Sequence, residues 1–211
     1  APLTFLGLHI GGRSALQSVR HIKILRSYSK VGQQLETLAA AQSIAELSLL
    51  LVAGNDPLPG MLDTVLMHLE RLEKTEAEEA MNRVFTLAKS VQSCVHLLAL
   101  GGYGLPIQKC CLSGLPLEPP IGDWDWRCSL IPNEGFAIGS VSNSAIQLNP
   151  SELALFQRLL RPNLPIGSNG KLLGPKDVWI KLLLVVEFWI GHHLPKNVKA
   201  LRMLHESLLN E

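Results

Sequence analysis

The chain has few cysteines for its length, and their spacing argues against the usual roles of that residue. Only Cys94, Cys110, Cys111 and Cys128 occur in 211 residues, too few for the dense disulfide framework of a small secreted protein. Position 113, where a Cys-x-x-Cys pair would need its second thiolate for tetrahedral zinc, is a serine. We therefore expect reduced, mostly buried thiols in a cytoplasmic protein, and no bound metal.

Long apolar runs are also missing. The longest, residues 178–190, contains Lys181 and Glu187 and falls short of the roughly 20 apolar residues that cross a bilayer. It predicts a buried helix. No basic stretch followed by an apolar one marks a signal peptide. The chain begins with Ala1 instead of Met, which favours processing or a piece of a longer protein.

No arrangement typical of an active site is present. Gly-x-Ser-x-Gly does not occur, and the glycines of residues 101–104 follow a helical pattern instead of opening one. They predict a helix stop, not a phosphate-binding loop. His192 and His193 lack a neighbouring ligand to complete a metal site and predict a polar helix end. We expect no catalytic residues, with a small enzyme built on Cys110 or His192 as an alternative.

Acidic residues are absent from the first 35 positions, which carry five cations. Residues 36–79 reverse this balance, with nine acids against two cations, and such asymmetry bears on partners. Contacts between phosphate and Lys or Arg give sequence-independent affinity for nucleic acid. The first segment is therefore a candidate DNA-binding surface, with ordinary solvated surface as the alternative. Its candidate residues are Arg13, Arg20, Lys23, Arg26 and Lys30.

The same segment has the pattern of two strands. Residues 3–10 and 16–25 are rich in apolar residues and flank a glycine turn, which predicts an antiparallel hairpin. Strict alternation would put Arg20 and Arg26 on one face and Lys23 on the other, so we expect no single basic stripe. Two strands alone are marginally stable in water, so the hairpin needs further strands or helices to cover it.

From about residue 28 the apolar period becomes helical. Three helices with short connections predict an antiparallel bundle. They are expected at about 35–53, at 58–73 with Asp56 and Pro57 as cap and first turn, and at 76–100.

A Pro- and Gly-rich segment follows, and then helices resume. Short strands are expected at 126–131 and 136–141, joined by a turn at 132–135. Asn149 and Pro150 predict the cap and first turn of the next helix. The remaining helices are expected at 151–160, 178–190 and 196–210.

Four stretches together resemble the bacterial recombination mediator family RecO, over essentially the whole chain. They are the strand pair with its Gly-Gly-Arg turn, the LRSY segment at 25–28, LALGGYGLPIQKCCLSG at 98–114, and EGFA at 134–137. The Gly-Tyr-Gly hinge followed by Cys110 is the most specific of these. The loop around Trp124 and Trp126 is similar to that of cyanobacterial members.

The resemblance implies a mainly α fold with two parts. Residues 1–26 would be the C-terminal strands of an N-terminal OB-fold barrel. Residues 27–211 would form the helical domain, with a degenerate zinc-ribbon-like insertion at 105–148. Cys110 matches the first zinc ligand of the family, Ser113 stands at the second, and the later two are missing from residues 135–142. The insertion is therefore expected to fold without zinc.

The resemblance also implies a non-catalytic role in recombinational repair. Family members bind single- and double-stranded DNA, anneal complementary strands, and with RecR help to load RecA on DNA coated by single-stranded DNA-binding protein. They dock that protein's acidic, apolar tail on the helical domain, which requires a cation beside a hydrophobic groove. Lys89 is the candidate for this contact. A cytoplasmic, nucleoid-associated location with no membrane contact follows.

A helical adaptor that binds proteins without touching DNA is the alternative. The acidic middle of the chain and its 47% hydrophobic composition favour that interpretation.

Overall fold

The computed structural model describes residues 3–12, 18–52, 57–74, 79–142 and 144–209. Its strands are β1 Thr4–Gly11, β2 Ser18–Ser27, β3 Cys128–Ile131, β4 Gly135–Ile138 and β5 Ile146–Leu148. A short 3-10 helix, Ser29–Gly32, follows β2. The α-helices are α1 Leu35–Leu51, α2 Met61–Glu73, α3 Glu79–Leu100, α4 Pro150–Arg158, α5 Lys176–His193 and α6 Lys199–Leu209.

The helical core is larger than the three helices predicted for the first half of the chain. Helices α1, α2 and α3 pack on one another, α6 packs on α1, and α5 packs on α3. Small buried side chains let α1 and α3 approach closely, and the hydroxyls of Ser43 and Ser90 lie 3.4 Å apart. The predicted packing of the first three helices is confirmed, and α5 and α6 complete the same core.

Helix α5 is the buried helix expected from its continuous apolar run. Trp179 is fully buried, and Trp189 is 5% exposed. The Trp179 indole N–H donates to the carbonyl oxygen of Leu173 at 3.0 Å, so burial leaves no unsatisfied donor there. Among the described residues, no helix combines the length and apolarity required to cross a membrane.

The glycine stop after α3 is confirmed. Gly102 has a φ of +82°, which glycine adopts at little cost. A Cβ at Gly101 would lie 2.6 Å from a Leu51 methyl group, so a larger residue there would force the Leu51 side chain to move. The indole of Trp189 donates to the Tyr103 carbonyl oxygen at 2.8 Å. This bond fixes the turn to α5.

One of the two predicted helix caps is confirmed, and the start predicted for the other helix is wrong. Asn149 caps α4 as expected, because its Oδ1 accepts from the Glu152 amide at 2.9 Å and the Glu152 carboxylate accepts from the Asn149 amide at 2.8 Å. The expected start of α2 at residue 58 is wrong, since the helix begins at Met61 after Gly60 with φ +80°. Asp56, part of that predicted cap, lies outside the described residues.

The segment between α3 and α4 contains a three-stranded antiparallel sheet in the order β4-β3-β5. Strands β3 and β4 confirm the two predicted strands, although both are shorter than expected. Strand β5 was not predicted because it has only three residues. Phe136 of β4 meets Phe156 of α4 edge to face, with ring centroids 6.2 Å apart. The sheet is thereby attached to the helices.

Candidate nucleic-acid interface

Two irregularities in β2 determine which side chains of the hairpin point the same way. Strands β1 and β2 pair antiparallel, as predicted, but the register shifts twice. At each shift β2 advances two residues while β1 advances one, so Arg20 and Leu25 are the extra residues. Each such bulge reverses the alternation of β2 relative to β1.

The bulges gather the cations of β2 on one face. Directly opposed residues of a strand pair share a face, and the pairs that contain odd-numbered β1 residues are Phe5–Arg26, Gly7–Lys23, His9–His21 and Gly11–Ser18. Leu25 also covers this face, because its side chain lies 3.5 Å from a Cβ built on Gly7. A Cβ built on Gly11 would collide with the Arg20 guanidinium, so Arg20 covers the same face. The expected division of the basic residues between two faces is therefore wrong. We call this surface of Arg20, His21, Lys23 and Arg26 the basic face.

The opposite face of the hairpin is apolar. Its side chains are between 39% and 67% exposed, and nothing in the described part of the chain covers them. The expected cover of strands or helices is thus not found among these residues. The two faces differ sharply in chemistry, and only the basic face is suited to phosphate. The apolar side chains are Leu6, Leu8, Ile10, Val19, Ile22 and Ile24.

Arg26 has a second role, because it joins the hairpin to α2. One of its terminal nitrogens bonds the Glu70 carboxylate, and Nη2 lies 3.2 Å from the Glu73 carboxylate. The guanidinium also lies over the ring of Tyr28, 4.9 Å from its centroid. Its charge is partly compensated by the two acids, whereas Arg20 and Lys23 are exposed.

The other predicted DNA contacts are less well defined. Lys30 is exposed in the 3-10 helix after β2. Arg13 lies outside the described residues. The basic face therefore consists mainly of Arg20, Lys23 and the anchored Arg26.

Lys89, the candidate for contact with an acidic tail, is half-buried on α3. Its ammonium donates to the Arg71 carbonyl oxygen at 2.6 Å. Burial, reinforced by the positive charge of Arg71, lowers the pKa of Lys89 to about 8. Nearby, Gln92 Nε2 donates to the Arg161 carbonyl oxygen at 2.9 Å. Lys89 thus belongs to a polar surface linking α2, α3 and the segment after α4.

A histidine pair that the sequence reasoning missed lies in the same region. His96 Nε2 is 2.8 Å from the Leu159 carbonyl oxygen, which can only accept, so Nε2 carries the proton. His96 Nδ1 must then accept from His68 Nε2, at 3.1 Å. Burial, with smaller contributions from His96 and Arg71, lowers the pKa of His68 to about 3. Both rings are therefore neutral near pH 7.

The cysteines do not gather into a recognisable metal site. No group of three or more His, Cys, Asp or Glu side chains within the described ranges could hold a metal ion. Burial would raise the pKa of the Cys110 thiol, but hydrogen bonds from Ser113 and from the amides of Ile138, Ser113 and Leu112 outweigh it and lower the pKa to about 7. Cys128 is buried, which raises its pKa to about 12, and Cys111 is exposed.

His192 takes the place expected of it at the end of α5. Its Nδ1 donates to the Phe188 carbonyl oxygen at 2.8 Å, and the His192 and Phe188 rings lie with centroids 4.0 Å apart and planes tilted by 31°. Within the described part of the chain, neither this histidine nor Cys110 is part of a nucleophile–base pair.

Comparisons with known proteins agree on one family. The family model described as the C-terminal part of recombination protein O matches residues 32–202. A protein named DNA repair protein RecO from Prochlorococcus marinus (strain MIT 9303) is 62% identical over 209 residues, covering 99% of this chain and 78% of that protein. The protein of the same name from Synechococcus sp. (strain WH7803) is 55% identical over 98% of this chain and 77% of its own length.

More distant similarity extends to Cyanothece sp. (strain PCC 7425 / ATCC 29141). Its DNA repair protein RecO is 31% identical over 142 residues, which is 67% of this chain and 46% of that protein.

The neutral state of His68 predicts sensitivity to mild acid. An unfolded histidine gains a proton below about pH 6.5, whereas folded His68 does not until about pH 3. The free energy of unfolding should therefore fall with falling pH between these values, by about 2 kcal/mol at pH 5 for one such group. Urea unfolding at pH 7.5 and pH 5 measures the difference.

The matched variants for this test are His68→Gln and His21→Gln. Glutamine at position 68 keeps an N–H donor for His96 but does not titrate, so the acid sensitivity should shrink. His21 is exposed, and its replacement should leave the sensitivity unchanged. Equal pH dependence in all three proteins would contradict the neutral pair.

Proposed function

The chain belongs to the RecO family of DNA repair and recombination proteins, and on that premise we propose that it is a non-catalytic recombination mediator that binds single- and double-stranded DNA through its basic face. The single observation that carries the proposal is the gathering of Arg20, Lys23 and Arg26 on one face by two bulges. Phosphate contacts of this kind need no base-specific geometry, which suits a protein acting on any damaged sequence.

The shape of the basic face supports contact with a phosphate backbone. Gly7 and Gly11 of β1 lie on it without side chains, and the Arg20 side chain crosses over Gly11 towards β1 while the Leu25 side chain lies over Gly7. Arg20 and Lys23 are exposed. Lys30, just beyond β2, and Arg13, outside the described residues, would extend the contact. Because two glutamates hold its guanidinium, Arg26 would position the hairpin in addition to any contact that it makes with phosphate.

The partners proposed for the protein follow from the family. They are RecR, the acidic C-terminal tail of single-stranded DNA-binding protein, and, indirectly, RecA. Strand annealing and RecA loading on coated DNA would be the activities, in the cytoplasm near the nucleoid. Lys89 is proposed to contact the tail. The charge that Lys89 retains at neutral pH, with its pKa near 8, supports that role.

We further propose that residues 1–26 are OB-fold strands and that residues 105–148 are a zinc-ribbon-like insertion working without zinc. The paired strands β1 and β2 support the first assignment. For the second, the serine at the position of the second ligand supports a metal-free insertion.

Removing two exposed cations should weaken DNA binding only through the loss of electrostatic contacts with phosphate. In the double variant Arg20→Ala, Lys23→Ala, log affinity should therefore fall less steeply with log salt, and the slope should be smaller in magnitude by about 1.4 for single strands, or 0.7 for each lost contact. Fluorescence anisotropy of a labelled oligonucleotide over a sodium chloride series measures it, with urea unfolding to confirm an unchanged fold.

The control for this variant is Lys109→Ala, Lys171→Ala, which removes two exposed lysines outside the hairpin. It should bind DNA as the parent does. If affinity does not depend on salt, or if both double variants lose the same amount, the basic face is not the DNA site and the adaptor alternative is favoured.

Tail docking is separable from DNA binding. A labelled peptide of the tail should bind the protein, and Lys89→Met, which keeps the apolar stem without the charge, should weaken it by about tenfold. Lys74→Met is the control, since Lys74 is exposed. DNA binding by the parent protein with no peptide binding would contradict the docking proposal.

Elemental analysis of the purified protein tests the metal-free insertion. We expect zinc far below one atom per chain, before and after dialysis against a chelator. Stoichiometric zinc that disappears in Cys110→Ser would show instead that the insertion retains a working site.

A further inference from the structure

The loop of residues 118–127, which precedes β3, displays a tryptophan to solvent, and we call it the Trp124 loop. Of the four tryptophans in the chain, Trp179 is fully buried, Trp189 is 5% exposed and Trp126 is half-buried. Trp124 is 81% exposed, more than any other large apolar side chain in the described part of the chain. Neither the basic face nor Lys89 belongs to this loop. A partner that covered the indole would remove a large apolar area from water.

Hydrogen bonds fix the backbone on both sides of Trp124. Asp123 Oδ1 accepts from the amides of Asp125 at 3.0 Å and Trp126 at 3.1 Å. From the other side, Arg127 Nη1 donates to the carbonyl oxygens of Trp124 at 2.6 Å and Trp126 at 2.8 Å. A loop whose conformation is already set loses little entropy when a partner binds.

The surroundings of the exposed indole are acidic. Glu118, Asp123 and Asp125 are exposed, and no lysine or arginine occurs between positions 110 and 126. The next cation, Arg127, is half-buried and engaged with two carbonyl groups of the loop. Because these carboxylates repel phosphate, the loop favours a cationic partner, whereas the basic face favours an anionic one.

An arginine side chain fits both properties of the loop. Its planar guanidinium can stack on an aromatic face and donate hydrogen bonds to carboxylates at the same time. The chain already contains this combination, since Arg26 lies over the Tyr28 ring while it binds two glutamates of α2. A lysine ammonium has no plane to stack and is more strongly hydrated. The exposed indole and its flanking carboxylates therefore favour arginine.

A cleft of about 270 Å³ adjoins the loop. Ile121, 68% exposed, forms one of its walls, and Leu155 of α4 and Val178 of α5 line it. Trp124 follows Ile121 by three residues, a span of at most about 10 Å along an extended chain. Arg158 also lines the cleft, so a partner would place an apolar side chain there and direct its cation towards the carboxylates.

We propose that the Trp124 loop docks a short segment of a partner protein in which an arginine lies beside an aliphatic residue. The guanidinium would lie on the indole of Trp124 and meet the carboxylates of Asp123 and Asp125. The aliphatic side chain would enter the cleft beside Ile121. This interaction is independent of DNA binding by the basic face and of the tail contact proposed for Lys89.

The test uses the full chain and a labelled ten-residue peptide that carries two Arg-Leu pairs separated by glycine and serine. We expect saturable binding by fluorescence anisotropy, weakened at least about tenfold in Trp124→Ala, because the loss of a central aromatic side chain removes most of the contact. Trp124→Phe should keep part of the affinity, since it retains an aromatic face.

Two altered peptides and one variant separate stacking from charge. Replacing arginine by citrulline, which has the same shape without the charge, should weaken binding about tenfold, and replacing it by lysine should weaken binding several-fold. The double variant Asp123→Asn, Asp125→Asn should also lose about tenfold. Asparagine at position 123 keeps the oxygen that accepts from the loop amides, so the backbone conformation should persist.

Matched variants elsewhere on the surface make the result specific to the loop. Leu49→Ala removes another exposed apolar side chain, and Asp63→Asn, Glu206→Gln removes two exposed carboxylates. Both should bind the arginine peptide as the parent does. Circular dichroism and urea unfolding confirm that each variant is folded.

Three results would overturn the proposal. Equal binding of the citrulline peptide, or unchanged binding in Trp124→Ala, would place the peptide elsewhere. Trp124→Ala should bind a labelled oligonucleotide as the parent does, and a loss of that affinity would make the indole a stacking platform for unpaired bases instead. A dimer of the parent protein that dissociates in Trp124→Ala would make a second copy of the chain the occupant.

Discussion

The guanidinium of Arg26 fixes the hairpin to the helices, and the orientation of the basic face depends on that contact. It bridges Glu70 and Glu73 on successive turns of one face of α2 while lying over the ring of Tyr28. A single exposed ion pair contributes little, but here one side chain satisfies two carboxylates and covers an aromatic ring. The backbone adds a further link, since the Tyr28 amide donates to the Leu3 carbonyl oxygen at 3.0 Å. Arg26 thus positions the neighbouring cations of β2.

Helix positions could be predicted because they depend on local patterns. The buried α5, the glycine stop at Gly102 and the capping box of Asn149 each have a signature in adjacent residues. The basic face could not be predicted, because it depends on bulges at Arg20 and Leu25. A bulge arises from pairing with the other strand, and neither residue is a glycine that would mark one. Strict alternation then assigned the faces wrongly.

The polar cluster behind Lys89 illustrates a second limit of sequence reasoning. The chain leaves α4 with carbonyl groups that no helical amide can satisfy. Those of Leu159, Arg161 and Pro162 accept instead from His96, Gln92 and Arg71 on the two preceding helices. Sequence separations of 63 to 91 residues lie between these partners, so no local pattern announces them. Polar side chains in an apolar helical pattern, which must find hydrogen-bond partners when they are buried, indicate such long-range contacts better than hydrophobic periodicity does.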